Sequence, residues 1–220
     1  LRALVNYSKA LQQRNVLLKN EEEAIDLTLL ELWEEQMVAN GSMIHQKRKE
    51  FTEELTPIFH DFYTRISNSA ENVSLEYTSQ LTGEDFKKKL VSHRQRDMIL
   101  GHTTVGTHRD ELEMLLGGHP MKKVGSQGQN KTYFVSLKLA QFHFLLKRGH
   151  TVPILLLDDI FDRLDTHRVE EIVKLVSGPG FGQIFISDTN RQSLDKILER
   201  FHDNYRVYSV DNGVITPMNE

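Results

Sequence analysis

The 220-residue chain has no cysteine, which rules out disulfides, thiol chemistry and any zinc site built on cysteine ligands. Long apolar runs are missing too. The longest, Ile154 to Leu157, is far short of the ~20 residues a membrane-spanning helix needs. Positive charge is not in excess: a net charge of −4 and a pI near 6.2 give no global field for a polyanion. A nucleic-acid partner would have to be held by local patches. Glycine is scarce in the first hundred residues, where only Gly41 and Gly83 occur. No glycine-rich loop ending in GK[ST] is present, so the usual phosphate cradle of a nucleotide hydrolase is not among these residues. The chain opens at Leu1 inside a helical pattern, carries no signal-peptide pattern and reads as a piece of a longer, cytoplasmic protein.

With 39% hydrophobic and 26% charged residues, the chain can build one or two domains with a real core. Its halves differ. Residues 1–102 read as an antiparallel helical arm, with apolar positions at helical spacing over 2–20 (Leu4, Tyr7, Leu11, Leu18) and 22–39 (Ile25, Leu29, Leu32, Trp33, Met37). Asn40-Gly41-Ser42 predicts a break with Ser42 as N-cap, followed by a third helix from Ile44 to Ile66 kinked at Pro57. VSLEYT at 73–78 alternates as a strand, and 84–100 returns to helix. From residue 103 to 220 strands and helices alternate, which predicts an α/β fold with a mostly parallel sheet. A hairpin is expected across Gly117-Gly118 (Glu111 to Leu116 and Met121 to Val124), then a long helix Gln127 to Arg148 with Leu137, Ala140, Phe144 and Leu145 on its apolar face. Four branched residues at 154–157 predict a fully buried strand. Helix 166–176, strand 183–187, helix 194–201 and a last strand 205–210 complete the pattern.

Two segments carry chemistry. The apolar strand in PILLLDDIFDRLD delivers Asp158 and Asp159 to its carboxyl end, where bare carboxylates must be solvated or coordinated. Asp158 suits Mg²⁺ held through a water shell, and Asp159 suits a general base facing an attacking water. Asp165, past the strand, caps helix 166–176 or reaches a neighbouring molecule. The turn GSQGQ at 125–129 opens the long helix with Ser126 as N-cap, and such a turn can offer N–H groups and a hydroxyl to an anion. Alone it is an ordinary cap. Followed by the helix and the aspartate strand, it describes two parts of a nucleotide-hydrolysing site.

His108-Arg109-Asp110 imitates a kinase catalytic loop, but no DFG follows and no glycine-rich loop precedes it. It is either a structural loop or a segment approaching the nucleotide. Lys87, Lys88, Lys89, Arg94 and Arg96 cluster on one helix, and Arg2, Lys9, Arg14 and Lys19 on another; both could meet DNA phosphates or be solvated faces.

GTHRDEL, VGSQGQNKT with its long helix, and PILLLDDIFDRLD followed by FISDT, in this order, resemble the RecF family of recombination-repair proteins, which are ABC/SMC-type ATPases. YSKALQQRNVLLK resembles the start of that family's helical arm, and the likeness runs along essentially all 220 residues. It implies a helical arm followed by the carboxyl-terminal part of an ABC-type ATPase head, without the lobe that carries the phosphate loop. By position, Ser126, Gln127, Gly128 and Gln129 fall on the ABC signature that caps ATP bound by a partner subunit, Gln127 replacing the glycine of transporters. Asp158 falls on the magnesium aspartate, Asp159 on the catalytic acid and Asp165 on the D-loop. Asp188 stands where many ABC ATPases carry a switch histidine, with Thr189 as a substitute γ-phosphate sensor.

The resemblance further implies ATP and Mg²⁺ as cofactors, an ATP-dependent homodimer, DNA at gaps and single-strand/double-strand junctions, and RecO/RecR-type mediator proteins as partners. Hydrolysis would act as a release switch in replication restart and the SOS response, with no membrane involved. The intact protein would be an ATPase and these residues alone inactive. Other readings remain open from the residues: another SMC-type head, a non-catalytic interaction module, or a metal-dependent nuclease built on Asp158, Asp159 and Asp162.

Overall fold

A computed structural model describes residues 1–19, 25–68, 71–81, 85–149, 151–159, 164–189 and 205–218. Helices α1 (Arg2–Lys19) and α2 (Leu27–Ser67) form an antiparallel pair, followed by strand β1 (Val73–Thr78) and helix α3 (Phe86–Leu100). Then come β2 (Glu111–Leu116), β3 (His119–Pro120), a short helix α4 (Met121–Val124) and the long helix α5 (Gln127–Arg148). Strand β4 (Leu155–Asp158), helix α6 (Thr166–Val176) and strand β5 (Ile184–Ser187) precede a terminal hairpin, β6 (Tyr208–Asp211) and β7 (Val214–Pro217). The expected helix at 194–201 lies outside the described residues.

Helix α2 runs unbroken for 41 residues, about 60 Å at 1.5 Å per residue, through both Asn40-Gly41-Ser42 and Pro57. The break and the Ser42 cap expected from the sequence are therefore absent. Asp26 caps the helix instead, accepting from the N–H groups of Thr28 and Leu29. Gly41 is there for packing: a Cβ on it would lie 2.7 Å from a Phe86 ring carbon and 3.0 Å from a Tyr7 ring carbon. Tertiary contact, not turn propensity, selected this glycine.

Among the described residues there are two cores, and α2 belongs to both. Tyr7, Ala10, Met37, Ile44, Leu81, Phe86, Leu90 and Val105 close one around α1, α2 and α3. Leu55, Phe59, Phe62, Tyr63 and Ile66 of the same α2 join α5, β1, β4 and α6 in the other. The carboxyl half of α2 and strand β1 bury their apolar faces in this second core. A buried ion-pair network ties α1, α2 and α3 together. Arg14, fully buried, donates to Glu34 at 3.0 Å, Asp97 at 2.8 Å and Thr103 Oγ1 at 2.8 Å.

Strands β1, β2 and β3 form an antiparallel sheet, with Val73 opposite Leu116 and Thr78 opposite Glu111. The turn at Gly117 and Gly118, both in the left-handed region, is the expected hairpin. Its second strand is only His119–Pro120, since Pro120 has no N–H to extend the ladder; Met121–Val124 coils into a helical turn with Met121 buried. β4 and β5 pair in parallel, Leu155 beside Ile184 and Asp158 beside Ser187, which makes a small parallel sheet flanked by α5 and α6. That pair is not buried on both sides as expected: Leu155 and Leu157 are buried, whereas Ile154 and Leu156 are exposed, as is Phe185 opposite. Asn212-Gly213, both with positive φ, turn β6 back onto β7, a strand the sequence reading did not include. Likewise the buried face of α5 carries Thr132, Tyr133, Val135, Ser136, Leu139, Ala140 and Phe142, while Leu145 is exposed.

Candidate nucleotide site

Ser126 is the N-cap of α5. Its Oγ accepts from the Gln129 N–H at 3.2 Å and the Gln129 side-chain oxygen accepts from the Ser126 N–H at 2.8 Å, a reciprocal capping box. The cap uses the hydroxyl only as acceptor, so its proton remains available. The N–H groups of Gln127 and Gly128, in the first turn, have no partner within the helix ladder. Gln129 is otherwise committed: its Nε2 donates to Glu71 at 3.1 Å, and Glu71 in turn accepts from the buried Tyr63 hydroxyl on α2. The Gln129 side chain is thus a brace within the protein rather than a free amide.

Asp158 ends β4 exposed, and one of its carboxylate oxygens accepts from the Ser187 hydroxyl on β5. Asp159 follows in the left-handed region at φ 46°, a conformation that aspartate tolerates better than most residues. Both of its main-chain polar groups are held: its N–H donates to the Ser187 carbonyl at 3.2 Å, and its carbonyl accepts from Lys131 Nζ on α5 at 2.7 Å. The parallel register places Asp158 against Ser187, and the α5 helix brings Lys131 to the same strand end. Sequence reasoning singled out neither Ser187 nor Lys131, although both lie in the segments FISDT and VGSQGQNKT that it quoted.

Asp165 caps α6, accepting from the Arg168 N–H at 2.9 Å and pairing with its guanidinium at 3.5 Å, with the carboxylate more than half exposed. Asp188 is half-buried and Thr189 exposed, directly after β5. Asp162 lies outside the described residues. For Mg²⁺ the chemistry of the donors fits: Asp158 offers hard carboxylate oxygen at an open sheet edge. Among the described residues no three His, Cys, Asp or Glu side chains converge.

In His108-Arg109-Asp110 the first and last side chains are bonded within the protein. The His108 Nε2–H donates to the Thr103 carbonyl at 3.2 Å, and its Nδ1 accepts from the Tyr7 hydroxyl at 2.9 Å, which fixes the neutral tautomer. Burial lowers the His108 pKa. Asp110 accepts from Arg48 at 3.1 Å and from the Tyr77 hydroxyl at 2.5 Å. Burial, with the Asp110 carboxylate, pushes Tyr77 up to about 12, so it stays a donor.

The two cationic patches are only partly what their sequences suggested. Arg14 is buried in its ion pairs, so it cannot meet a phosphate; Arg2, Lys9 and Lys19 remain exposed. Arg94 is bound to Glu34 at 2.6 Å and Glu31 at 3.2 Å with a side chain 18% exposed, and these acids raise its pKa. Both arginines were drawn inward because their carboxylate partners on α2 and α3 are themselves buried. Lys87 pairs with Glu35 and Lys89 donates to the Gln80 carbonyl, while Lys88 and Arg96 are exposed. Among the described residues no helix is long and apolar enough to cross a membrane.

No family model matches the chain. It is 54% identical over 220 residues to the DNA replication and repair protein RecF of Parabacteroides distasonis, covering all of the chain and 60% of that protein. It is 54% identical over 218 residues to the same-named protein of Bacteroides thetaiotaomicron, covering 99% of the chain and 59% of the relative. The chain therefore spans about 60% of the length of the curated relatives it matches. Among solved structures it superposes on the recombination mediator protein RecF with ATP, from the RecFOR pathway, with a TM-score of 0.79 and 27% identity over 99% of the chain and 58% of that structure. A second RecF structure, designated RecF-ATPrS, gives 0.76 and 28% over the same shares. The fold, the order of the motifs and the identity along the whole chain agree: the chain belongs to the RecF family and corresponds to the carboxyl-terminal portion of its members.

Proposed function

We propose that this chain supplies the signature and magnesium-aspartate half of an ATP-binding head in a cytoplasmic DNA-repair protein, with residues 1–102 contributing its helical arm and 103–220 its part of the head. One observation carries the reading: the capped signature turn at the start of α5 and the Asp158-Asp159 strand end belong to one hydrogen-bonded unit, joined through Lys131. The likeness to RecF structures that hold ATP supports it.

ATP would lie between two copies, with the Ser126 hydroxyl and the N–H groups of Gln127 and Gly128 meeting the γ-phosphate held by the partner copy. Asp158 would hold Mg²⁺, which when bound neutralises charge on the phosphate oxygens. Asp159 would take the proton of the attacking water as its oxygen bonds to the γ-phosphorus, while the bond to the β-phosphate bridging oxygen breaks and ADP leaves. Asp165 would reach across the interface, and Asp188 with Thr189 would sense the γ-phosphate. Turnover would release DNA at gapped junctions, where RecO/RecR-type mediators would act in replication restart and the SOS response. Lys88 and Arg96, with Lys87 and Lys89 after exchange of their present partners, would contact DNA phosphates.

The test uses the full-length protein. Asp159→Asn should bind ATP and accumulate as a dimer without turnover, whereas Asp158→Asn should weaken Mg–ATP binding itself. Equal loss of nucleotide binding in both would overturn the separate roles. The 220 residues alone should not turn over ATP, because most phosphoryl-transfer catalysis is positioning and no GK[ST] loop is present.

A further inference from the structure

We infer that Lys131 is a positioning residue for the catalytic carboxylate, an inference that rests on the role of Asp159 proposed above. Asp159 leaves β4 at φ 46°, so its main chain departs from the extended path of the strand. A non-glycine residue in the left-handed region has a competing right-handed or extended basin of lower intrinsic energy, and it stays there only where neighbours over-determine it. Two neighbours do so. On the β5 side, the Ser187 carbonyl takes the Asp159 N–H at 3.2 Å, and the Ser187 hydroxyl, itself bonded to Asp158, stands 3.3 Å from the same N–H. On the other side, the Lys131 ammonium donates to the Asp159 carbonyl at 2.7 Å. With both ends of the residue fixed, the direction of the Cα–Cβ bond, and so the reach of the carboxylate, is fixed as well.

Lys131 is suited to this task by where it sits. It lies on the second turn of α5, one helical turn past Gln127, half-buried on a helix held at its start by the Ser126 capping box and the Gln129–Glu71 bond. The ammonium is a strong donor to a carbonyl, and its long stem crosses from helix to strand end without steric demand on the core. Lys131 needs no contact with nucleotide for this. Its effect would run through Asp159 and appear in the chemical step, leaving ground-state binding of ATP alone.

In the full-length protein, Lys131→Met should lower kcat about tenfold with KM for ATP unchanged within about twofold, since misplacing a reacting group slows chemistry without removing uniform binding. ATP-induced dimerisation and thermal midpoint should match the parent protein. Lys131→Arg, which restores a cationic donor of similar reach, should recover most of the rate. Should Lys131→Met fold poorly, Lys131→Gln gives the same readout. An unchanged kcat in the methionine variant, a KM that rises in step with the loss, or no recovery by arginine would each overturn the positioning role. Asp159→Asn is measured alongside. If it turns over ATP at the parent rate, the reading of the site falls; if it is inactive while Lys131→Met is fully active, only this inference falls.

Discussion

Gln129 and Glu71 are bonded across 58 residues of sequence, the glutamine amide donating to the carboxylate at 3.1 Å. The other carboxylate oxygen takes the Tyr63 hydroxyl of α2, and burial, then that carboxylate, raises the tyrosine's pKa and keeps it a donor. The capped turn at 125–129 is thereby fixed to the same continuous helix whose other half builds the arm core.

Glu71→Ala removes the acceptor for both partners and leaves a buried tyrosine hydroxyl unpaired. Hydrogen bonds to charged groups contribute about 1.5–3 kcal/mol, and a loss in that range is expected from the midpoint of urea unfolding at constant m. Tyr63→Phe in the Glu71→Ala background should cost little more, because the two act on one bond. Full additivity would show that they are independent.

The signature turn should act across a dimer interface. In the full-length protein, Ser126→Arg places a bulky cation where a hydroxyl and backbone donors would meet the partner's γ-phosphate, so monomer affinity for ATP should stay near normal while dimerisation and turnover are lost. Mixing this variant with one lacking the phosphate-loop lysine generates dimers in which one composite site carries both lesions and the other neither. Partial return of activity is expected. Verified heterodimers as inactive as their components would show that the turn works in its own subunit.

Arg14 holds two buried carboxylates at once. Arg14→Met should destabilise the protein by about 3–5 kcal/mol, because it leaves the buried Asp97 charge with only its Thr104 donors and weakens the hold on Glu34 rather than merely deleting an attraction. Chemical denaturation reads this directly; a loss under about 1 kcal/mol would mean that water or Arg94 takes over the freed charge.

DNA affinity should respond unequally along α3. Lys88→Glu with Arg96→Glu should weaken binding and flatten its salt dependence. Arg94→Ala should instead lower the unfolding midpoint, since its guanidinium is spent on Glu34 and Glu31. Unchanged salt dependence in the double variant would remove this helix face from the DNA contact.

His108 should make stability fall on acidification. Burial lowers its folded pKa below the ordinary value of about 6.5, so the unfolded chain binds the proton first. The contribution is complete above about 6.5 and is lost as pH falls through that value towards the lowered folded one. Unfolding midpoints between pH 8 and pH 5 should show a shallower acid limb in His108→Gln; superimposable limbs would rule His108 out as the cause.

Much of this molecule was legible from local pattern. The sequence alone determined the α5 boundaries, the Ser126 and Asp165 caps, the Gly117-Gly118 turn and the strand that leads into Asp158 and Asp159, since each depends on residues within one or two turns of one another. What it could not determine depends on groups far apart in the chain. Asn40-Gly41-Ser42 looks like a helix end until Tyr7 and Phe86 close against Gly41, where burial of two aromatic rings outweighs the local preference for a turn. Arg14 and Arg94 look like solvated cations until the fold supplies Glu34 and Asp97, whose desolvated charge demands a partner. The candidate site divides in the same way. Its carboxylates and its cap were written in two short motifs, whereas the left-handed turn of Asp159 and the lysine and serine that hold it exist only because a helix and a neighbouring strand arrive at the same sheet edge.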